Sequence, residues 1–132
     1  MLDDILLPID FSANTEYAVK QAIELTQVTR SAIHLLHVIG SNSYHNKLTA
    51  TTHVPTASNE AFFFYDSMKK LKEWKRTIEE TIPGCNVKTH LEVGSVHANI
   101  IDTAQKIEAQ LIILGKEKNR GFFSYIRSLN PE

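Results

Sequence analysis

Apolar positions along this chain alternate between two periods. Ile5-Leu6-Leu7-Pro8-Ile9 and Ala32-Ile33-His34-Leu35-Leu36-His37-Val38-Ile39 are short runs, too brief for buried helices and right for interior parallel strands. Between them Ala18, Val19, Ala22, Ile23 and Leu25 recur at helical spacing, which predicts a crossover helix from about Thr15 to Val28 with Asn14 as its N-cap. Phe64, Met68, Leu71, Trp74, Ile78 and Ile82 mark one face of a second, longer helix that Pro83-Gly84 ends. Its other face carries Lys69, Lys70, Lys72, Glu73, Lys75, Arg76, Glu79 and Glu80, the composition of a solvated surface. Cys85, Val87, Thr89, Leu91 and Val93 then alternate with Asn86, Lys88, His90 and Glu92, the pattern of a strand with one wet side, expected at a sheet edge. Ile100, Ile101, Ala104 and Ile107 predict a third helix beginning near Ser95, and Leu111 to Leu114, apolar at every position, a fourth strand.

Strands alternating with helices imply an α/β fold: a parallel sheet, helices on both faces and right-handed crossovers. The stretch from Gly40 to Asn59 is rich in Ser, Thr, Asn and His, contains Pro55 and has no period, so it reads as a lid or a disordered segment. In such sheets ligands bind beyond the carboxyl ends of the strands, where the strand order reverses. With strand one central, strands two and three on one side and strand four on the other, the reversal falls between strands one and four. The residues leaving those strands are Asp10 and Gly115.

Composition narrows the picture. The 132 residues, 42% hydrophobic, suffice for one core, so residues 1–132 read as a single domain. A net charge of −1 provides no basic field, and no nucleic-acid partner is expected. Met1-Leu2-Asp3-Asp4-Ile5 lacks the positive flank of a signal peptide, and no apolar run approaches the ~18 residues that cross a bilayer, which predicts a cytoplasmic chain without a membrane partner. Cys85 stands alone and reads as a small apolar strand residue. His34 and His37, three apart on a strand, face opposite sides; with His45, His53, His90 and His97 they make no metal set. There is no G-x-S-x-G elbow, no Walker lysine pattern and no GxGxxG. The chain therefore reads as a non-enzyme, with slow ATP hydrolysis the one reaction left open.

Ile5-Leu6-Leu7-Pro8-Ile9-Asp10-Phe11-Ser12, Tyr17-Ala18, Ile33-His34-Leu35-Leu36-His37-Val38, and Gly94 six residues before Ile100-Ile101, followed by Ala104 and Leu111-Ile112-Ile113-Leu114-Gly115, together resemble the universal stress protein family over nearly the whole chain. The resemblance implies a Rossmann-like, adenine nucleotide α-hydrolase-like three-layer sandwich with strand order 3-2-1-4-5. Phe122 to Glu132 offer a helical turn or two, so this chain is expected to keep the parallel order 3-2-1-4 with strand five missing, a domain truncated at its C-terminal end. An exposed strand four needs cover, either from Phe122, Phe123, Tyr125 and Ile126 or from a second subunit.

In nucleotide-binding members the aspartate after strand one and the valine ending strand two meet the adenosine, and a G-x-x-G-(x9)-G-[S/T] loop wraps the phosphates. Carried onto this chain, Asp10, Val38 and Gly115 match, whereas Lys118, Ser128 and Leu129 stand where the two later glycines and the Ser/Thr belong. Each lost glycine places a side chain where backbone N–H groups should approach phosphate. Lys116, Lys118 and Arg120 would supply side-chain cations instead. The tentative nucleotide-contacting set is Pro8, Ile9, Asp10, Val38, Leu114, Gly115, Lys116, Lys118 and Arg120. Asp10 has a second reading, as a cap of the following turn with Ser12 or Asn14. The expected function is a regulatory or stress-tolerance module acting through a homodimer or a tandem-domain partner. The alternative is a stress regulator that binds ATP or another adenine nucleotide through Asp10, Val38 and the Gly115 loop; no other cofactor is implied.

Overall fold

The computed structural model describes residues 2–40, 56–115 and 122–126. Strand β1 (Asp4–Pro8) leads to helix α1 (Ala13–Thr29), β2 (Ala32–Gly40), α2 (Thr56–Thr81), β3 (Val87–Gly94), α3 (Val96–Lys106), β4 (Leu111–Gly115) and β5 (Phe122–Ile126). The sheet order is β3-β2-β1-β4-β5. The first four strands are parallel, with Ile5 opposite both Ile33 and Leu111, and Ile33 opposite Val87. The order 3-2-1-4 predicted from the sequence is therefore present, and β3 occupies the edge its one wet face required.

The expectation of a missing fifth strand is corrected. Residues Phe122–Ile126 form a strand antiparallel to β4, pairing Gly115 with Phe122 and Leu111 with Ile126. Too few residues separate β4 from β5 for a crossover helix, and only an antiparallel return can pair strands across so short a connection. The segment thus covers the β4 edge in cis, one of the two alternatives the sequence left open.

Side-chain alternation divides the core into two. Ile5, Leu7 and Ile9 of the β1 segment, Ile33 and Leu35 of β2, and Leu111 and Ile113 of β4 face α1 and α2, where Ala18, Val19, Ala22, Leu71 and Ile78 bury against them. The opposite face holds a smaller cluster of Leu6, Leu36, Val38 and Ile112 beneath α3, which contributes Ala104, with Ala109 following it. Each fully buried Ile or Leu contributes about 1.5–3 kcal/mol.

Local signals set the helix ends. Helix α1 begins earlier than its apolar period suggests because Ser12, extended and with its hydroxyl accepting from the Asn14 amide, is the N-cap in place of Asn14. Arg30 closes it in the left-handed region, its amide donating to the Thr26 carbonyl. Ser95 caps α3 through the Ala98 amide, as its position before the periodic run predicts. In α2 the buried face is Ser67, Leu71 and Ile78 with Trp74 partly buried, while Met68 is 46% exposed. A position directly after Ser67 turns about 100° away from it, so the expected core role of Met68 is also corrected. The unpatterned stretch from Gly40 to Asn59 lies largely outside the described residues, which resume in α2 at Thr56.

Candidate functional site

The carboxyl ends of β1, β2 and β4 open onto a cleft of about 200 Å³. Pro8, Ile9, Asp10, Val38, Leu114 and Gly115 all line it, so the six described members of the nucleotide-contacting set converge on one place. Lys116, Lys118 and Arg120 lie outside the described residues. The sequence did not single out five further lining residues: Asn14 and Thr15 from the first turn of α1, Leu36 from β2, and Val96 and Ile100 from α3. Their signal was topological. In a parallel sheet the helices begin where the strands end, so the first turns of α1 and α3 necessarily flank the site.

Asp10 anchors the turn from β1 into α1. Its Oδ1 accepts from the Ser12 amide at 3.0 Å, the Ser12 hydroxyl at 2.5 Å and the Thr15 hydroxyl at 3.3 Å. The capping reading of this residue is therefore present in the structure. Burial pushes the carboxyl up, but the Ser12 and Thr15 bonds pull harder, and it is held below the usual carboxylate range. The cleft thus carries a fixed negative charge with one oxygen committed to the turn.

Phe11, between them, adopts a left-handed φ of 63°. For a non-glycine residue this conformation costs about 1–2 kcal/mol. Packing offsets the strain: the Phe11 ring lies 4.2 Å from that of His37, centroid to centroid, and the Lys70 ammonium sits 5.4 Å from its centre. His37 Nδ1 in turn donates to the Ile9 carbonyl at 2.8 Å, which fixes its tautomer and ties β2 to the end of β1. Neither Phe11 nor His37 stood out in the sequence as a support of the site.

Gly115 has a reason to be glycine that is independent of any ligand. A Cβ there would lie 2.5 Å from the Asn14 carbonyl oxygen and 3.0 Å from its carbon. The end of β4 meets the backbone of the first turn of α1, and a side chain cannot fit between them.

Among the described residues no group of three or more His, Cys, Asp or Glu is placed to hold a metal ion; His45 and His53 lie outside them. His34 and His37 do point to opposite faces, with different partners. Cys85 is half-buried against the larger core cluster, and burial, then Glu79, raises its thiol above the ordinary range, which suits a packing role. No described helix is long and apolar enough to cross a membrane.

A three-layer α/β sandwich with a ligand-sized cleft at its switch point is the architecture of nucleotide-type Rossmann-like domains. The model of the universal stress protein family matches residues 1–127, and the chain belongs to that family. A universal stress family protein from Burkholderia pseudomallei superposes with a TM-score of 0.69 at 18% identity, covering 86% of this chain and 81% of that one. The universal stress protein UspA of Lactobacillus plantarum gives 0.60 at 22%, over 88% and 80% of the two chains. A universal stress protein in complex with cAMP gives 0.55 at 13%, over 84% and 70%. Comparison with curated proteins returns no match.

Proposed function

We propose that this chain is a non-enzymatic regulatory module of the stress response that binds an adenine nucleoside or nucleoside monophosphate in the switch-point cleft. The observation that carries this reading is the convergence of three strand ends on one cleft with apolar walls and a single lining carboxylate. Apolar walls suit a purine face, and the Asp10 carboxylate suits the hydroxyls or amino group of a nucleoside. The glycines that would cradle a triphosphate are replaced by Lys118 and Ser128, so phosphate contact falls to Lys116, Lys118 and Arg120. Family membership and the cAMP complex of a distant relative support an adenine ligand.

Thermal melting with adenosine, AMP, ATP and GMP tests this. Ligand at 100 times its dissociation constant adds about 2.7 kcal/mol to stability. AMP should raise the melting temperature, and Val96→Trp, at a 48% exposed position on the cleft wall, should abolish the rise without lowering the unliganded value. No rise with any adenine ligand would refute the proposal.

A second reading, partner binding through a homodimer or a tandem domain, is favoured by one observation. Phe62, Tyr65 and Met68 on α2 are 62%, 69% and 46% exposed. Tyr65 and Met68 line a groove with Lys69, Lys72, Glu73 and Arg76, whereas neighbouring charges pair as Asp66–Lys70 and Lys75–Glu79. Sedimentation of the protein and of a Phe62→Ser, Tyr65→Ser variant checks this: a dimer lost in the variant supports the reading, and a monomer in both counts against self-association.

A further inference from the structure

Three polar side chains from three adjacent strands form a continuous chain on the α3 side of the sheet. Asp4 Oδ1 lies 3.0 Å from His34 Nε2, and His34 Nδ1 lies 3.0 Å from His90 Nε2. His34 is 5% exposed, and its ring stacks on that of His90 with 5.3 Å between centroids. The register makes this possible: Leu6 lies opposite His34 and Leu36 opposite His90, so Asp4 and His90 are the diagonal neighbours of His34 on the same face.

Proton positions follow from the partners. An ionised carboxylate only accepts, so His34 Nε2 carries hydrogen and donates to Asp4. A bond between His34 Nδ1 and His90 Nε2 needs one hydrogen between them. Either neutral His34 accepts from His90, or His34 is an imidazolium that donates to neutral His90. The intact chain therefore holds at most one excess proton on the two rings. A second would set two N–H groups and two positive charges against each other at hydrogen-bond distance. Lys88 and Glu92 on β3 and Lys106 on α3 also act on His90; burial first, then His34 and the lysines, outweigh Glu92 and lower its affinity for a proton.

This chain sits at the sheet edge. β3 is the edge strand, and on this face its residues are Lys88, His90 and Glu92 rather than apolar side chains. All three belong to the ladder with β2, but of their side chains only that of His90 is hydrogen-bonded to a neighbouring strand. We propose that Asp4, His34 and His90 form an acid-sensitive clasp on the edge strand: protonation of both histidines opens the His34–His90 bond and loosens β3. Because β3 runs through Gly94 and Ser95 into α3, the loosening reaches the cleft wall at Val96 and Ile100, whatever the cleft binds.

Hydrogen exchange of the full chain at pH 7.5 and pH 5, corrected for intrinsic rates, tests the clasp with β1 as internal reference. Protection of β3 should fall about tenfold more than that of β1 on acidification. His90→Gln, which still donates to His34 Nδ1 but does not titrate, should remove that extra loss. Parallel loss in both strands, or an unchanged β3 response in His90→Gln, overturns the proposal. Should the variant not fold, histidine ring ¹⁵N shifts of the unaltered protein decide: coupled titration of the two rings supports the clasp, and independent titration overturns it.

Discussion

The two faces of the sheet are built differently. Toward α1 and α2 the larger apolar cluster joins β1, β2, β3 and β4, with the buried hydroxyls of Thr15, Thr26 and Ser67 on the helices that cover it. Toward α3 the cluster is smaller and shares the face with Asp4, His34 and His90, while Leu36, Val38, Ile100 and Leu114 continue from it into the cleft. The first face supplies most of the apolar burial, the second carries the Asp4–His34–His90 chain, and the cleft takes lining residues from both. Because strand alternation assigns neighbouring residues to opposite faces, a buried position away from the cleft should alter stability alone, whereas a cleft residue such as Gly115 should alter both.

The largest effect should come from the apolar face. Leu35→Ala, at a fully buried position, should cost about 2–5 kcal/mol in urea unfolding and leave cleft affinity unchanged in the folded protein. Equal loss of affinity would show that the faces are not separable. Gly115→Ala should come next, at about 1–3 kcal/mol, because its Cβ meets the backbone of Asn14. Since Gly115 also lines the cleft, this change should weaken ligand as well, a double effect that Leu35→Ala lacks. Ser12→Ala removes the α1 cap and should cost about 1 kcal/mol by the same measurement.

The smallest effect on global unfolding in urea should be acidification, and it should come from the polar face. His90 binds protons less readily folded than at its ordinary value of 6.5. The unfolded chain then takes up more protons, so the stability His90 contributes is complete above pH 6.5 and lost as pH falls toward the folded value. Asp10 acts in a lower window: its folded value lies below 3.8, so its contribution holds above that pH and is lost only as pH falls through the folded value. Urea midpoints from pH 7.5 to 5 in the unaltered protein and in His90→Gln separate the two. A decline of equal size in both would assign it elsewhere.

Much of this was legible in the sequence because it rests on periodicity. Ile5 to Ile9 and Leu111 to Leu114 are continuous apolar runs, and Ala32 to Ile39 is interrupted only by His34 and His37, the near-continuous pattern of central parallel strands. Asp10 and Gly115 followed from the switch-point rule. The misses were of another kind. β5 reads in sequence as a short aromatic tail, and its strand state comes from the unpaired β4 edge beside it rather than from a period of its own. Phe11 and His37 support the Asp10 turn through a left-handed backbone and a ring contact, which leave no mark on hydrophobic pattern. The Asp4–His34–His90 chain needed the register between three strands, set by pairings that no single segment encodes.

The central claim is that the cleft takes an adenine nucleoside or monophosphate without a glycine cradle for a triphosphate. Calorimetric titration of the full chain with AMP and ATP, repeated on Val96→Trp, tests it most directly. The expected result is that AMP binds, that ATP binds no more than about tenfold tighter, equivalent to 1.4 kcal/mol, and that Val96→Trp binds neither. Binding of ATP alone, or binding that persists in Val96→Trp, would contradict it.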